Sequence, residues 1–301
     1  MTETPQVLKA ALWMLGTIAS FSAMAVAGRQ VSFALDTFEI MTYRSLVGLI
    51  VVWTALTVTR RWSQVSTRNW KTQVFRNITH FTGQNLWFFA IASVPLAQVF
   101  ALEFTSPLWV VLLSPLFLGE QLTRTRLATV VIGFVGILIV TRPTPETINI
   151  GIMTAASAAI FFALTNMITK RLTRTETVAS IMFWLTGTQL IFGLISAGHD
   201  GYIALPDATT APYLVVIGVA GLMAHFCLTT ALSLAPASVV TPIDFARLPV
   251  IAVLGMLLFN EAIDPFVILG GAIIFAANYF GLVMERRRRR IAATQVNATN
   301  L

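Results

Sequence analysis

Residues 95–120 read PLAQVFALEFTSPLWVVLLSPLFLGE, a long apolar run that contains one carboxylate, Glu103, and two internal prolines, Pro107 and Pro115. Roughly 20 apolar residues span the hydrocarbon core of a bilayer. Helix-breaking prolines are tolerated there when neighbouring helices satisfy the freed carbonyls. An ionisable residue at that depth is costly and is usually functional or paired with another charge. The stretch therefore predicts a membrane-spanning helix that contributes to a functional site.

A second stretch, residues 236–261, repeats this pattern 141 residues later as PASVVTPIDFARLPVIAVLGMLLFNE. The positions that agree in identity or in charge include Pro95 and Pro236, Val99 and Val240, Glu103 and Asp244, Phe104 and Phe245, and Glu120 and Glu261. The same shift also aligns residues in the first two helices of each half. One constant offset across several helices indicates a duplicated unit.

The composition is that of an integral membrane protein. Hydrophobic residues make up 56% of the 301 residues and charged residues 11%, against about 25% charged in ordinary globular domains. The net charge of +7 does not indicate a nucleic-acid partner, because five of the 20 basic residues form the run Arg286–Arg290 directly after the last apolar segment. Such a run is typical of a cytoplasmic helix end. The single cysteine, Cys227, excludes a disulfide framework and a cysteine metal cluster.

Ten apolar segments predict an all-α fold of ten transmembrane helices. Their approximate bounds are 8–28, 36–58, 70–93, 95–118, 123–141, 149–169, 176–197, 210–232, 236–259 and 263–284. Five crossings per half make the second half enter the membrane from the opposite side. We therefore expect two inverted five-helix repeats around a central cavity, as in many secondary transporters. The expected units are residues 1–146, residues 147–285 and a basic cytoplasmic tail, residues 286–301.

The basic residues predict the orientation. Fifteen of them fall on one predicted side and only two, Arg29 and Arg142, on the other. Cytoplasmic loops carry the excess of Lys and Arg, so both termini are expected in the cytoplasm and the helical spans in the inner membrane. The connections near Ser93 to Pro95 and near Pro236 predict tight helical hairpins. Residues 291–301 are polar and are expected to be disordered.

The chain resembles the EamA family of the drug/metabolite transporter superfamily. The resemblance rests on the fourth and ninth helices, which begin in proline and close in Gly119-Glu120 and Asn260-Glu261. It also rests on Arg44 in the second helix, on the basic pair Lys170-Arg171, and on the ten-helix inverted repeat. One departure is Arg247, which stands where repeat symmetry gives Ser106.

This resemblance implies a carrier with a cavity between its halves, whose substrates are amino acids, related metabolites or drug-like compounds. Its exporter branch includes carriers of aromatic amino acids. The hairpins of helices three and four and of helices eight and nine would then form the gates. The expected gating residues are Pro95, Pro107, Pro236 and Pro249.

Helix three is the most polar of the ten. Arg76, His80 and Gln84 are four residues apart and share one face, and repeat symmetry places His225 opposite Gln84. Such groups must face protein or water, so they either line a cavity or hold the bundle together by interhelical hydrogen bonds. The candidate substrate-binding residues are His80, Gln84, His225, Arg247, Tyr43, Phe100, Trp109, Phe161 and Trp184.

Arg44, Glu103 and Asp244 are charged residues within predicted helices, and each has a possible partner of opposite charge. Arg44 and Glu103 each lie eight residues from the predicted outer end of their helix, which is a depth of roughly 12 Å. We expect them to form an ion pair, either as a packing element or as part of substrate or ion coupling. Asp244 and Arg247 are three residues apart and can pair within one helix.

The sequence therefore predicts a secondary transporter, most simply an amino-acid exporter that works by alternating access. A multidrug or nucleotide-type metabolite carrier is the alternative within the same class. An intramembrane enzyme or a membrane sensor is the alternative from another class. No phosphate-binding loop and no hydrolase motif is present in the sequence. We expect no cofactor and no metal, a small-molecule substrate and the lipid bilayer as partners, and a monomer.

Overall fold

The structure, a computed structural model, describes residues 6–118, 122–144, 149–235, 240 and 243–299. These residues form helices, joined by turns, and contain no strand. The helices are α1 Val7–Val31, α2 Thr37–Val58, α3 Trp70–Ser93, α4 Leu96–Glu103, α5 Ser106–Leu118, α6 Arg124–Thr141, α7 Ile150–Leu172, α8 Val178–Ala197, α9 Ala211–Leu234, α10 Arg247–Phe259 and α11 Pro265–Thr299.

Polar residues start several of these helices. The Asp36 carboxylate accepts the backbone N–H of Glu39, and the Glu39 carboxylate accepts that of Asp36, which is a capping box at the start of α2. The Asn149 side chain accepts the N–H of Ile152 at the start of α7. These caps satisfy donors that have no partner inside the helix.

Eight segments of the described chain have the length and composition of membrane spans. α4 and α5 together form one of them, Leu96–Phe117. α3 is long enough at 24 residues, but its polar face lowers its hydropathy, and α10 is an apolar helix of 13 residues. Two of the ten predicted crossings therefore do not qualify by these criteria alone.

The predicted fourth and ninth helices are interrupted, at equivalent places. α4 ends at Glu103 and α5 starts at Ser106, so Pro107 lies in the first turn of α5. Pro249 likewise lies in the first turn of α10, after a turn at residues 245–246. The breaks come a few residues before the prolines, because a first-turn proline leaves no helical hydrogen bond unmade.

The bundle core is built from helix pairs that join distant parts of the chain. α1 packs most extensively on α9, α3 on α7, α2 on α8, and α6 on α11. Glycines bring α6 and α11 together, because a Cβ at Gly136 would lie 2.8 Å from the carbonyl oxygen of Gly270. The same close approach is used where membrane helices lack a hydrophobic drive to associate.

The predicted hairpins and the predicted disordered tail can also be compared with the structure. α3 ends at Ser93 and α4 begins at Leu96, which is the expected tight hairpin. Pro236, which starts the corresponding turn of the second half, lies outside the described residues. The expectation of disorder for residues 291–301 is wrong for most of that segment, because α11 continues as a helix through the basic run to Thr299.

Candidate functional site

Polar side chains gather at two places inside the bundle. We call the first the central polar cluster; it lies among α2, α3, α8 and α9. Its members are Arg44, Arg76, His80, Gln84, Gln189 and His225. We call the second the ion triad; its members are Arg247, Glu103 and Asp244.

His80 lies at the middle of the central polar cluster. Its residue is only 5% exposed, and neither ring nitrogen has a hydrogen-bond partner. The ring centroid lies 6.4 Å from that of His225 and 6.2 Å from that of Phe162. A buried polar group without a partner is costly, and His80 has two such nitrogens.

Arg44 bridges three helices of the cluster. Its Nη1 donates to Gln84 Oε1 at 2.9 Å and to Gln189 Oε1 at 3.4 Å, and its Nε has no partner. Its guanidinium lies against the backbone of α9, since a Cβ at Gly221 would be 3.0 Å from Arg44 Nη2. Glycine at this position is therefore what allows the charge so close to α9.

Arg76 occupies the same face of α3 as His80, one turn nearer the start of the helix. Its Nε donates to Thr169 Oγ1 and its Nη1 to Asn77 Oδ1, both at 3.0 Å. Asn77 in turn donates to Thr188 Oγ1 at 2.6 Å. All these partners are neutral, so hydrogen bonds orient the guanidinium without compensating its charge.

The ion triad joins the two halves of the sequence. Arg247 Nη2 lies 3.1 Å from Glu103 Oε1 and 3.4 Å from Asp244 Oδ2. The second oxygen of Glu103 accepts the Trp87 indole N–H at 2.8 Å. Because Glu103 ends α4 and Arg247 starts α10, the charges sit where both helices are interrupted.

Aromatic rings surround the guanidinium of Arg247. Its Cζ lies 4.6 Å from the ring centroid of Phe21 and 5.0 Å from those of Phe100 and Phe104, distances typical of cation–π contact. Phe21 also makes an edge contact with His225 at 5.5 Å. One ring of α1 therefore connects the ion triad to the central polar cluster.

The predicted ion pair between Arg44 and Glu103 is wrong. Glu103 pairs with Arg247, whereas Arg44 bonds to the amides of Gln84 and Gln189. The reason is helix neighbourhood: α2 packs on α8 and α9, and α4 packs on α10. Equal depth in the membrane does not bring side chains together when their helices have different neighbours.

A third ionic contact closes one end of the bundle. Arg29 Nη1 lies 2.9 Å from Glu261 Oε1, and both side chains are 11% exposed. Arg29 also donates to the carbonyls of Ile91 and Val94 at the end of α3. Glu261 Oε2 accepts the N–H of Leu96 at 2.9 Å. We call this the Arg29–Glu261 latch, because it fastens α1, the α3–α4 turn and the α10–α11 turn together.

The structure separates the aromatic candidates. Phe100 packs against Arg247 of the ion triad, whereas the four others contact residues outside the central polar cluster and the ion triad. Tyr43 donates to the carbonyl of Ala204 at 2.7 Å, and Trp184 donates to that of Ser66 at 2.8 Å, so each ties a helix to a loop. The remaining contacts are those of Trp109 with Phe134 in α6 and of Phe161 with α3 at Gly83.

One open groove of this conformation is peripheral. A groove of about 230 Å³ lies between α3 and α8, among Ile78, Phe81, Thr82, Phe192, Ile195 and Ser196. Ile78 and Ile195 are exposed, so the groove faces the surroundings of the bundle. Among the described residues, no His, Cys, Asp or Glu side chains gather in a group suited to a metal ion.

Several participants could not be recognised from sequence. Phe21 and Gln189 lie on α1 and α8, which are apolar nearly all round, so the sequence does not show which of their faces points inward. Trp87 lies on α3, where many polar residues compete for the same interpretation. Glu261 was noted as a repeat position, and its role in the latch follows only from the approach of α10 to α1.

Comparison with known proteins agrees with this architecture. Residues 8–142 and again residues 149–282 match the EamA-like transporter family. The riboflavin transporter of Brucella anthropi is 33% identical over 214 residues, which cover 70% of this chain and 75% of that protein. The S-adenosylmethionine uptake transporter of Rickettsia bellii is 25% identical over 275 residues, 91% of this chain and 94% of that protein. A chain of known crystal structure superposes with a TM-score of 0.65 over 92% of this chain and 98% of its own length, at 18% identity.

Proposed function

The chain belongs to the EamA-like transporter family, as the sequence pattern predicted, and we propose that it is a secondary transporter that moves a small organic metabolite by alternating access. It is a multi-pass membrane protein and a transporter rather than an enzyme. The observation that carries the proposed mechanism is the central polar cluster, in which an unpartnered histidine and a guanidinium are buried at mid-helix positions.

The proposed solute site comprises the central polar cluster and the ion triad. Carriers of this kind bind near the midplane, where interrupted helices meet. Gln84 lies at the middle of α3 and His225 near the middle of α9, while the triad lies at the interruptions of the fourth and ninth predicted helices. Phe21 joins the two groups. The aromatic rings would take the body of the solute and the polar groups its head.

The proposed architecture is two inverted repeats, residues 1–146 and residues 147–285, with ten crossings. Two observations support this architecture: the same family model matches each half of the chain, and equivalent breaks occur after α4 and before α10. Helix packing supports it as well. Exchanging the halves converts the contact of α1 with α9 into that of α7 with α3, and leaves the contacts of α2 with α8 and of α6 with α11 unchanged.

We further propose an inner-membrane location with both termini in the cytoplasm, because of the fifteen-to-two distribution of basic residues. In this orientation the Arg29–Glu261 latch lies on the external side. Reporter fusions after α11 check the orientation: activity of a reporter that works only outside the cytoplasm would contradict it.

The proposed solute class is wider than the amino acids expected from sequence. Two of the matched relatives are named for riboflavin and for S-adenosylmethionine, which are larger than amino acids and carry flat ring systems. Export of aromatic or other neutral amino acids stays a candidate within this class. The gating role expected of Pro95, Pro107, Pro236 and Pro249 also stays a proposal.

Solute counterflow into vesicles that contain the purified protein tests the function. The panel contains riboflavin, S-adenosylmethionine, amino acids, nucleotide derivatives and cationic drugs. We expect accumulation of at least one of them, and slower exchange in the variants His80→Ala, Gln84→Ala and His225→Ala, each still folded. No exchange of any solute above empty vesicles, or unchanged exchange in all three variants, would contradict the proposal.

A further inference from the structure

Arginines packed between the helices that the structure describes fall into two groups. Arg29 and Arg247 each contact a carboxylate within 3.1 Å. Arg44 and Arg76 are 8% and 4% exposed, yet their hydrogen bonds within the described part of the chain go only to amides and hydroxyls. Among the described residues, acids therefore contact Arg29 and Arg247, whereas Arg44 and Arg76 have only neutral partners.

An uncompensated buried charge is expensive, so its presence calls for a missing partner. Removing one member of a buried pair is strongly destabilising, and intramembrane charges normally pair with each other or with backbone carbonyls. Arg44 and Arg76 lie on either side of His80 along the cluster, so two positive charges act on one site.

The unpaired atoms of the cluster are mostly donors. Arg44 Nε and Gln189 Nε2 have no partner, and His80 carries one N–H whichever nitrogen is protonated. A guanidinium has no acceptor, so the group that completes these bonds must offer acceptor lone pairs, which carboxylate and phosphate oxygens supply in number. The complement of such a site in shape and charge is an anionic oxygen group.

Resting on the proposed transport function, we propose that the central polar cluster binds the anionic oxygen group of the solute, a carboxylate or a phosphate, between Arg44 and Arg76 at the level of His80. Arg247, which the sequence favoured for this role, is already neutralised by Glu103 and Asp244. The ion triad is then left for the uncharged part of the solute.

Matched ligand pairs test the charge requirement in the purified protein. Riboflavin 5′-phosphate with riboflavin probes phosphate, and L-phenylalanine with L-phenylalaninamide probes carboxylate; inorganic phosphate and acetate probe the bare anions. We expect the anionic member of at least one pair to raise the unfolding temperature more than its uncharged or cationic partner. Arg44→Gln and Arg76→Gln should each weaken that binding about tenfold or more. The exposed Arg171→Gln is the matched control and should bind as the wild type does.

The unfolding temperature without ligand gives an independent readout. If Arg44 serves to bind an anion, Arg44→Gln should keep or raise the unfolding temperature without ligand, because it removes an uncompensated charge. Arg247→Gln should lower that temperature, because it breaks an ion pair. A loss in Arg44→Gln as large as in Arg247→Gln would show a structural role and overturn the proposal. Equal or better binding of the uncharged or cationic member throughout the panel would overturn it too. Transport of neutral solutes alone would leave the transport function standing while the anion site fails.

Discussion

Arg247 and Glu103 are 144 residues apart in the chain, and their side chains lie 3.1 Å apart inside the bundle. Each lies at a helix end beside an interruption, so the contact fixes α4 against α10 across the two family repeats. Asp244 adds a second carboxylate to the same guanidinium nitrogen. One cation with two anions makes the arginine indispensable and each acid partly replaceable.

Variants of the triad should therefore differ in severity. Arg247→Gln leaves two partly buried carboxylates without a counter-charge and should cost about 3–5 kcal/mol of stability. Glu103→Gln should cost much less, because Asp244 still balances the arginine. Unfolding in detergent by denaturant measures both effects.

A double-mutant cycle measures whether Glu103 and Arg247 interact. Glu103→Gln combined with Arg247→Gln should lose less than the sum of the single changes, since the two groups interact. Glu103→Gln combined with Arg44→Gln is the control and should be additive. Additive behaviour of the first pair would rule out the ion pair.

The Arg29–Glu261 latch should control access from its end of the bundle. The substitution Ala97→Cys places a thiol next to the Leu96 N–H that Glu261 accepts, and it reports on opening in a Cys227→Ser background. Glu261→Gln removes the charge that holds Arg29, so labelling by an impermeant thiol reagent from outside should become several-fold faster. The measurement is the rate of labelling in sealed vesicles.

The control for the latch uses the neighbouring ion pair. Arg142 and Asp264 join α6 to the same α10–α11 turn but are much more exposed, and exposed pairs contribute little. Asp264→Asn should leave the labelling rate unchanged. Equal labelling in the Glu261→Gln variant and the wild type would mean that the latch does not hold this end closed.

The glycine contact of α6 with α11 should not tolerate a side chain. At Gly136 a Cβ would lie 2.7 Å from Ile274 and 2.8 Å from a backbone oxygen, so Gly136→Val should cost about 1–3 kcal/mol. Gly187 of α8 has nothing within 4 Å of its Cβ position. Gly187→Ala should be neutral or stabilising, because alanine favours a helix. Similar unfolding temperatures for the two variants would argue against this interface.

Membrane insertion, duplication and the family were accessible from sequence, because each leaves a signal along the chain. Apolar runs, a constant offset and clustered arginines need no knowledge of packing. The polar face of α3 was accessible for the same reason, because Arg76, His80 and Gln84 repeat at helical spacing in the most polar of the predicted helices. Each of these signals can be read along the chain without knowing which helices pack together.

Contacts between helices were not accessible. Position along a helix gives depth, and depth alone allowed Arg44 to pair with Glu103. The two side chains do not meet, because their helices have different neighbours and rotations. The sequences of α1, α2, α8 and α9 are too uniformly apolar to show which face of each helix points inward. The same uncertainty explains why Tyr43 and Trp184 were grouped with Phe100, although they bond to loops.

The proposed transport route requires that the central polar cluster become accessible from each side of the membrane in turn. Met24 lies beside this cluster, 3.4 Å from where a Cβ at Gly221 would be. Met24→Cys in the Cys227→Ser background therefore places a thiol in the route while leaving the polar groups intact. We expect an impermeant thiol reagent to label it from either face of sealed vesicles, and a transported solute to slow both reactions. Labelling from one face only, or from neither, would contradict transport through this site.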